Sequence, residues 1–219
     1  LNILNSQARF LLYFFSVTMF LFALYCGIEH DYKVYLKQWA SLVGGGDAYA
    51  EGNLYGPFHN LIGYAVLIHP LAPKALISGS LLLAHFLIAH TLIQSRPLSP
   101  LLAVYLLAVP LNGLFLGIGI VYGLNDAVVA AILTSAVFLR MNQKYFLASA
   151  AVVIAALLKF YPILLLPFFL MEDRKIRFRP LVFGACLFIG GLALSYFIWG
   201  PGLLRNFVVG ATRDVKQLS

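Results

Sequence analysis

"YFLASAAVVIAALLKFYPILLLPFFLMEDRKIRFR", Tyr145 to Arg179, decides how the chain is threaded. Its apolar part, 145–171, is too long for one regular membrane span and carries Lys159, Pro162 and Pro167 inside it. Arg174, Lys175, Arg177 and Arg179 form the densest basic cluster of the chain, and such clusters stay on the cytoplasmic side. Arg140 and Lys144 flank the other end, so both ends lie on one side. A broken hairpin satisfies this: one leg from 145 to about 159, a turn at Lys159-Phe160-Tyr161-Pro162, and a short leg back. The residue before a proline resists helical dihedrals, which favours a break there.

The rest of the topology follows from that anchor. Spans are expected over 8–27, 75–95, 100–120, 124–140 and 179–199. The apolar stretch Phe58–Pro73 is too short to cross and is expected to lie in the outer leaflet. Arg9, Arg96, Arg140, Lys144 and the 174–179 cluster then all face inward. The outer face receives the 28–74 loop, Tyr122–Asp126, Lys159–Pro162 and the 200–219 tail, with six of the eight acids.

Composition agrees. The chain has 219 residues, 62% of them hydrophobic and 11% charged, with a mean hydropathy of +0.90. A soluble domain is about 45–50% apolar and about 25% charged. The expected fold is therefore all-α: one polytopic transmembrane helical bundle. The net charge of +7 sits at segment ends and does not point to nucleic acid. Cys26 and Cys186 lie in separate apolar segments without metal-type spacing. No two histidines have zinc-type spacing. The chain begins at Leu1 and stops within a polar stretch at Ser219, and it reads as a fragment truncated at its C-terminus.

The 28–74 loop has an internal pattern. Tyr32, Tyr35, Leu36, Trp39, Leu42 and Val43 recur at helical spacing, with Lys33, Lys37 and Ser41 off that stripe. This predicts an amphipathic helix on the membrane surface, stopped by Gly44-Gly45-Gly46. The glycines are not a phosphate loop, because no strand precedes them and no Lys-Ser/Thr follows.

Four short motifs occur in order: Asp31-Tyr32-Lys33-Val34-Tyr35 after the first span, the Tyr55-Gly56-Pro57 turn, Gly123-Leu124-Asn125-Asp126, and Leu158-Lys159-Phe160-Tyr161-Pro162. Over about 10–210 the chain resembles the GT-C membrane glycosyltransferases. It is most similar to the polyprenyl-phosphate-mannose-dependent α-mannosyltransferases of glycosyltransferase family 87, and more distantly to the GPI mannosyltransferase I catalytic subunit. The resemblance implies a GT-C-like bundle and a multi-pass location in a bacterial plasma membrane or endoplasmic reticulum, with the active site on the outer or lumenal face. It implies transfer of a hexose, mannose first, from a polyprenyl-phosphate sugar to a lipid or glycan acceptor. Partners are then the lipid-linked donor, the acceptor and membrane lipids. It names no definite cofactor and leaves a divalent metal open. The turn departs from the family pattern, since Asn53-Leu54-Tyr55-Gly56-Pro57-Phe58-His59 lacks a basic residue and adds His59.

Each candidate has a chemical reason and a plainer one. Asp31 matches the family's catalytic Asp; a carboxylate just outside a span suits removal of the acceptor's proton, and it also suits a helix cap. Asn125 and Asp126 open the 124–140 span, as a simple cap or as a site for sugar hydroxyls or a metal. Lys159, deep in apolar sequence, must snorkel, pair or bind a leaving phosphate. His59 and Arg213 are further phosphate candidates, and Tyr55 and Trp39 are rings able to stack on a sugar or to anchor at the interface. A small-molecule transporter, in which Lys159 and Asp126 control flux, and a non-catalytic assembly subunit stay open as rivals.

Overall fold

The computed structural model describes residues 2–49, 53–95, 115–172 and 175–205. Most of the expected 100–120 span, Arg96, and the tail with Arg213 lie outside them. Helices run over Asn2–Tyr25 (α1), His30–Val43 (α2), Pro57–Gly63 (α3), Ala72–Ser95 (α4), Asn125–Met141 (α5), Tyr145–Leu158 (α6), Leu166–Phe169 (α7) and Phe178–Trp199 (α8). A π-helical segment, Phe115–Val121, leads into α5. A two-residue antiparallel β pair, Met171–Glu172 with Lys175–Ile176, precedes α8. Among the described residues, two helical segments are long and apolar enough to cross a membrane, Ala72–Ala89 and Phe178–Trp199. The segment after the Tyr55 turn is broken into α3 and a 3-10 stretch, Tyr64–Leu67, each far too short to span.

The chain divides into two compact units. The first is Leu1–Tyr32 with Lys74–Ala131; the second is Lys33–Pro73 with Ile132–Ser219. The first packs α1 against α4 and the π segment, through Met19, Ala23, Leu82 and Ile120. Ser78 Oγ donates to Gly119 O at 2.8 Å, tying α4 to the π segment.

The second unit is built on α6 and α8. Ala136, Val152, Val153, Leu157, Leu166 and Leu170 form its core. Close approach is possible because α6 offers Ala148, Ser149, Ala155 and Ala156, all buried, while α8 offers Gly184 and Gly191 two turns apart. A methyl on Gly184 would strike Ser149, and one on Gly191 would strike Leu157. Small residues at such spacing are how helices pack where water supplies no driving force. Helix α6 stops at Leu158. Lys159 is extended at φ −138°, ψ 130°, and a 3-10 turn, Tyr161–Leu165, follows.

Helix α2 ends as its glycines require. Gly46 N–H reaches Ser41 O and Gly45 N–H reaches Leu42 O, with Gly45 at φ 76°. That pairing closes a helix with a left-handed residue, which glycine adopts without strain. Its apolar stripe corrects one expectation. Tyr32, Tyr35, Trp39 and Leu42 are buried against protein rather than turned to a membrane surface. The methyl-free Gly63 of α3 lets the Trp39 indole sit directly on the α3 backbone.

Candidate functional site

The second unit gathers three of the expected residues around one turn. Asn53 is fully buried and organises it. Its Nδ2 donates to Ala48 O and to Asn60 Oδ1, each at 2.9 Å, and its Oδ1 accepts from Tyr55 N–H at 3.1 Å. The last bond is an Asx turn, the usual work of a short amide side chain. Gly56 N–H then donates to Leu158 O at 3.0 Å. Leu158 closes α6, so its carbonyl has no partner within the helix, and the turn supplies one. Contact is so close that a methyl on Gly56 would overlap the Leu157 carbonyl. Pro57 starts α3, where a missing N–H costs nothing.

Four rings stack on this turn. His59 lies 4.6 Å from Tyr55, 4.8 Å from Tyr35 and 4.9 Å from Trp39, centroid to centroid. Tyr35 donates its hydroxyl proton to Tyr55 Oη at 3.1 Å. Gln38 Oε1 accepts from His59 Nε2 at 3.0 Å, and Trp39 Nε1 donates to His59 O at 3.0 Å. The Lys159 Nζ, released by the end of α6, stands 5.4 Å from the Tyr55 ring centroid. An ammonium at that distance is attracted by the ring face. It is also favoured by the carbonyl end of α6.

Tyr55 and Lys159 are half-buried and reachable, whereas His59 and Trp39 are fully buried. Direct phosphate contact by His59 is therefore closed in this arrangement, and the side chain instead supports Tyr55. Stacking on a sugar by Trp39 is closed for the same reason. Arg205 pairs with Asp47 at 3.1 Å. Arg213 lies outside the described residues.

The first unit carries Asp31, Asn125 and Asp126. Helix α2 begins at His30, so exposed Asp31 sits inside its first turn rather than ahead of it as a cap. Acids in a first turn are favoured by the helix field. Asn125, fully buried, opens α5, with half-buried Asp126 beside it. Among the described residues no three His, Cys, Asp or Glu side chains gather as a metal site.

Lys74 organises this unit, and sequence reasoning missed it. It is fully buried in the first turn of α4. Its Nζ donates to Gly27 O at 2.7 Å and to Val121 O at 2.6 Å. Its backbone N–H, one of the helix's orphan donors, reaches Tyr32 Oη at 3.1 Å. Burial pushes the Tyr32 phenol well above its ordinary range, so it stays neutral. Gly27 lies four residues before Asp31 and Val121 four before Asn125, so one ammonium fixes the approach to both. The available signal was a charge in the opening turn of an apolar span. Lys74→Met keeps the length but strands two carbonyls, and about 2–4 kcal/mol of stability should go with it. Denaturant unfolding in detergent measures this. A variant as stable as the wild type would remove Lys74 from that role.

A search of the curated proteins and a search of the solved structures found no significant match. A sequence profile of glycosyltransferase family 87 matches residues 53–217. That stretch starts at Asn53, the residue that shapes the turn, and includes Tyr55, His59, Asn125, Asp126 and Lys159, while Asp31 and α2 precede it. With three-quarters of its length accounted for in this way, the chain belongs to glycosyltransferase family 87.

Proposed function

We propose that this glycosyltransferase moves a hexose, mannose first among the choices, from a polyprenyl-phosphate sugar to a lipid or glycan acceptor on the outer face of a membrane. Family membership supports glycosyl transfer over transport or a purely structural role. Two segments able to span a bilayer support a membrane-bound enzyme that draws its donor from lipid. The single observation that carries the donor assignment is Lys159, a cation at the end of apolar α6, held against the Tyr55 ring.

The step balances as a direct displacement. The acceptor oxygen attacks the anomeric carbon, the bond from that carbon to the phosphate oxygen breaks, and its electron pair leaves with polyprenyl phosphate. Asp31 takes the acceptor's proton. Lys159 neutralises the charge that develops on the departing phosphate, assisted by Arg213. Tyr55 presents a ring to the sugar, and His59 positions that ring from below. Asn125 and Asp126 bind sugar or acceptor hydroxyls.

Lys159→Met tests the donor assignment. Losing one charge-stabilising donor should lower kcat/KM for the lipid-phosphate sugar by about 10²-fold. Lys159→Arg should recover part of it, because the charge returns in another shape. Unchanged kinetics in Lys159→Met would show that the phosphate is held elsewhere.

A further inference from the structure

The second unit holds a cavity of about 680 Å³ that the transferase reading does not use. It lies where α6 and α8 both begin, and Lys144, Arg177 and Arg179 line it together with Tyr145, Phe146 and Phe178. Arg177 is committed: its guanidinium stacks 4.1 Å from the Tyr145 ring centroid and binds the Glu172 carboxylate. Glu172 also accepts from Tyr145 Oη at 2.8 Å, and these two donors hold its carboxyl below the ordinary range. Glu172, the acid that Arg177 and Tyr145 hold, is thus already paired. Lys144 and Arg179 are exposed and make no ion pair among the described residues.

The backbone adds to this charge. Neither α6 nor α8 has a side-chain cap, and the first residues of both helices, Tyr145 and Phe178, line the cavity. Gln143 takes a left-handed conformation, φ 59°, which a non-glycine residue adopts only where the fold imposes it, and this turn delivers Lys144 to the rim. The adjoining surface is apolar. Phe178 is 72% exposed and Phe146 51%, and Phe146 meets Phe183 of α8 edge-on at 5.6 Å. Cations that make no ion pair among the described residues, lining one cavity with exposed aromatics at the start of bilayer-length α8, match a phosphate with acyl chains attached. Basic pockets between membrane helices select such headgroups.

We infer that this cavity is a binding site for the phosphate headgroup of an anionic phospholipid, whose chains lie along Phe146, Phe178 and Phe183. The inference rests on the membrane reading of the chain and not on the transferase mechanism.

The test uses the full chain in nanodiscs of phosphatidylcholine with or without phosphatidylglycerol, with retained lipid counted by native mass spectrometry. Wild type should retain phosphatidylglycerol in preference to phosphatidylcholine. Lys144→Gln with Arg179→Gln should weaken that retention at least about tenfold, since each basic group near an anionic lipid contributes roughly fivefold or more. Lys33→Gln with Lys37→Gln removes equal charge from the exposed side of α2 and should change nothing at this site. Equal retention by wild type and the Lys144/Arg179 variant would overturn the site. So would an equal loss in the α2 control, which would reduce the effect to bulk charge. Glycerol phosphate displacing the lipid with full affinity would show a free-phosphate site and overturn the lipid assignment. Transfer activity enters none of these readouts, so a failed transferase reading stays distinguishable.

Discussion

Gly56→Ala is expected to remove most transferase activity and to cost about 3 kcal/mol of stability. The added methyl would have to occupy the space of the Leu157 carbonyl. Backbone on both sides leaves no flexible side chain to give way, so the turn must lift from α6. Lifting it breaks the bond from Gly56 N–H to Leu158 O and strands a helix-terminal carbonyl. It also carries Tyr55 away from Lys159, the pair that the donor assignment needs. Gly190→Ala is the matched control. Nothing lies within 4 Å of a methyl there, and Gly190 is interior to α8. That variant should be neutral or stabilising by about 0.5–1 kcal/mol. Parallel unfolding and activity measurements decide the matter. If Gly56→Ala behaves like Gly190→Ala, the docking of the turn on α6 does not matter to either property.

Asp31→Asn is expected to lower turnover by about 10²–10⁴-fold, the usual contribution of a positioned general base. Stability should change by no more than about 0.5 kcal/mol, because Asp31 is exposed and the amide keeps its shape. That split, large in activity and small in stability, separates a base from a residue that merely favours the start of α2. The split matters here because the family profile begins at residue 53, so Asp31 stands on its chemistry, its position and the resemblance of the Asp31–Tyr35 motif.

The parts of this molecule that were legible in sequence are those fixed locally. Long apolar runs read as helices, and the glycines after Val43 read as a stop, because dihedral preference and periodicity act within a few residues. The Tyr55 turn was visible for the same reason. Periodicity also exposed the apolar stripe of α2, but it reports that a face is buried and not what buries it. Trp39 and His59 therefore read as ligands or anchors, while the structure makes them a buried support for Tyr55. Long-range contacts were the illegible part. Lys74 reaches carbonyls 47 residues away in either direction, and Gly56 meets Leu157 across the chain. Neither contact leaves a mark within its own stretch of sequence.

The most direct measurement is transfer of radiolabelled mannose from polyprenyl-phosphate-mannose into lipid-extractable product, with membranes holding equal amounts of wild type or Asp31→Asn. The account predicts transfer by wild type and a loss of about 100-fold or more in the variant. Equal transfer by both would contradict Asp31 as the base, and a wild type that accepts a nucleotide sugar but not this donor would contradict the lipid-phosphate mechanism itself.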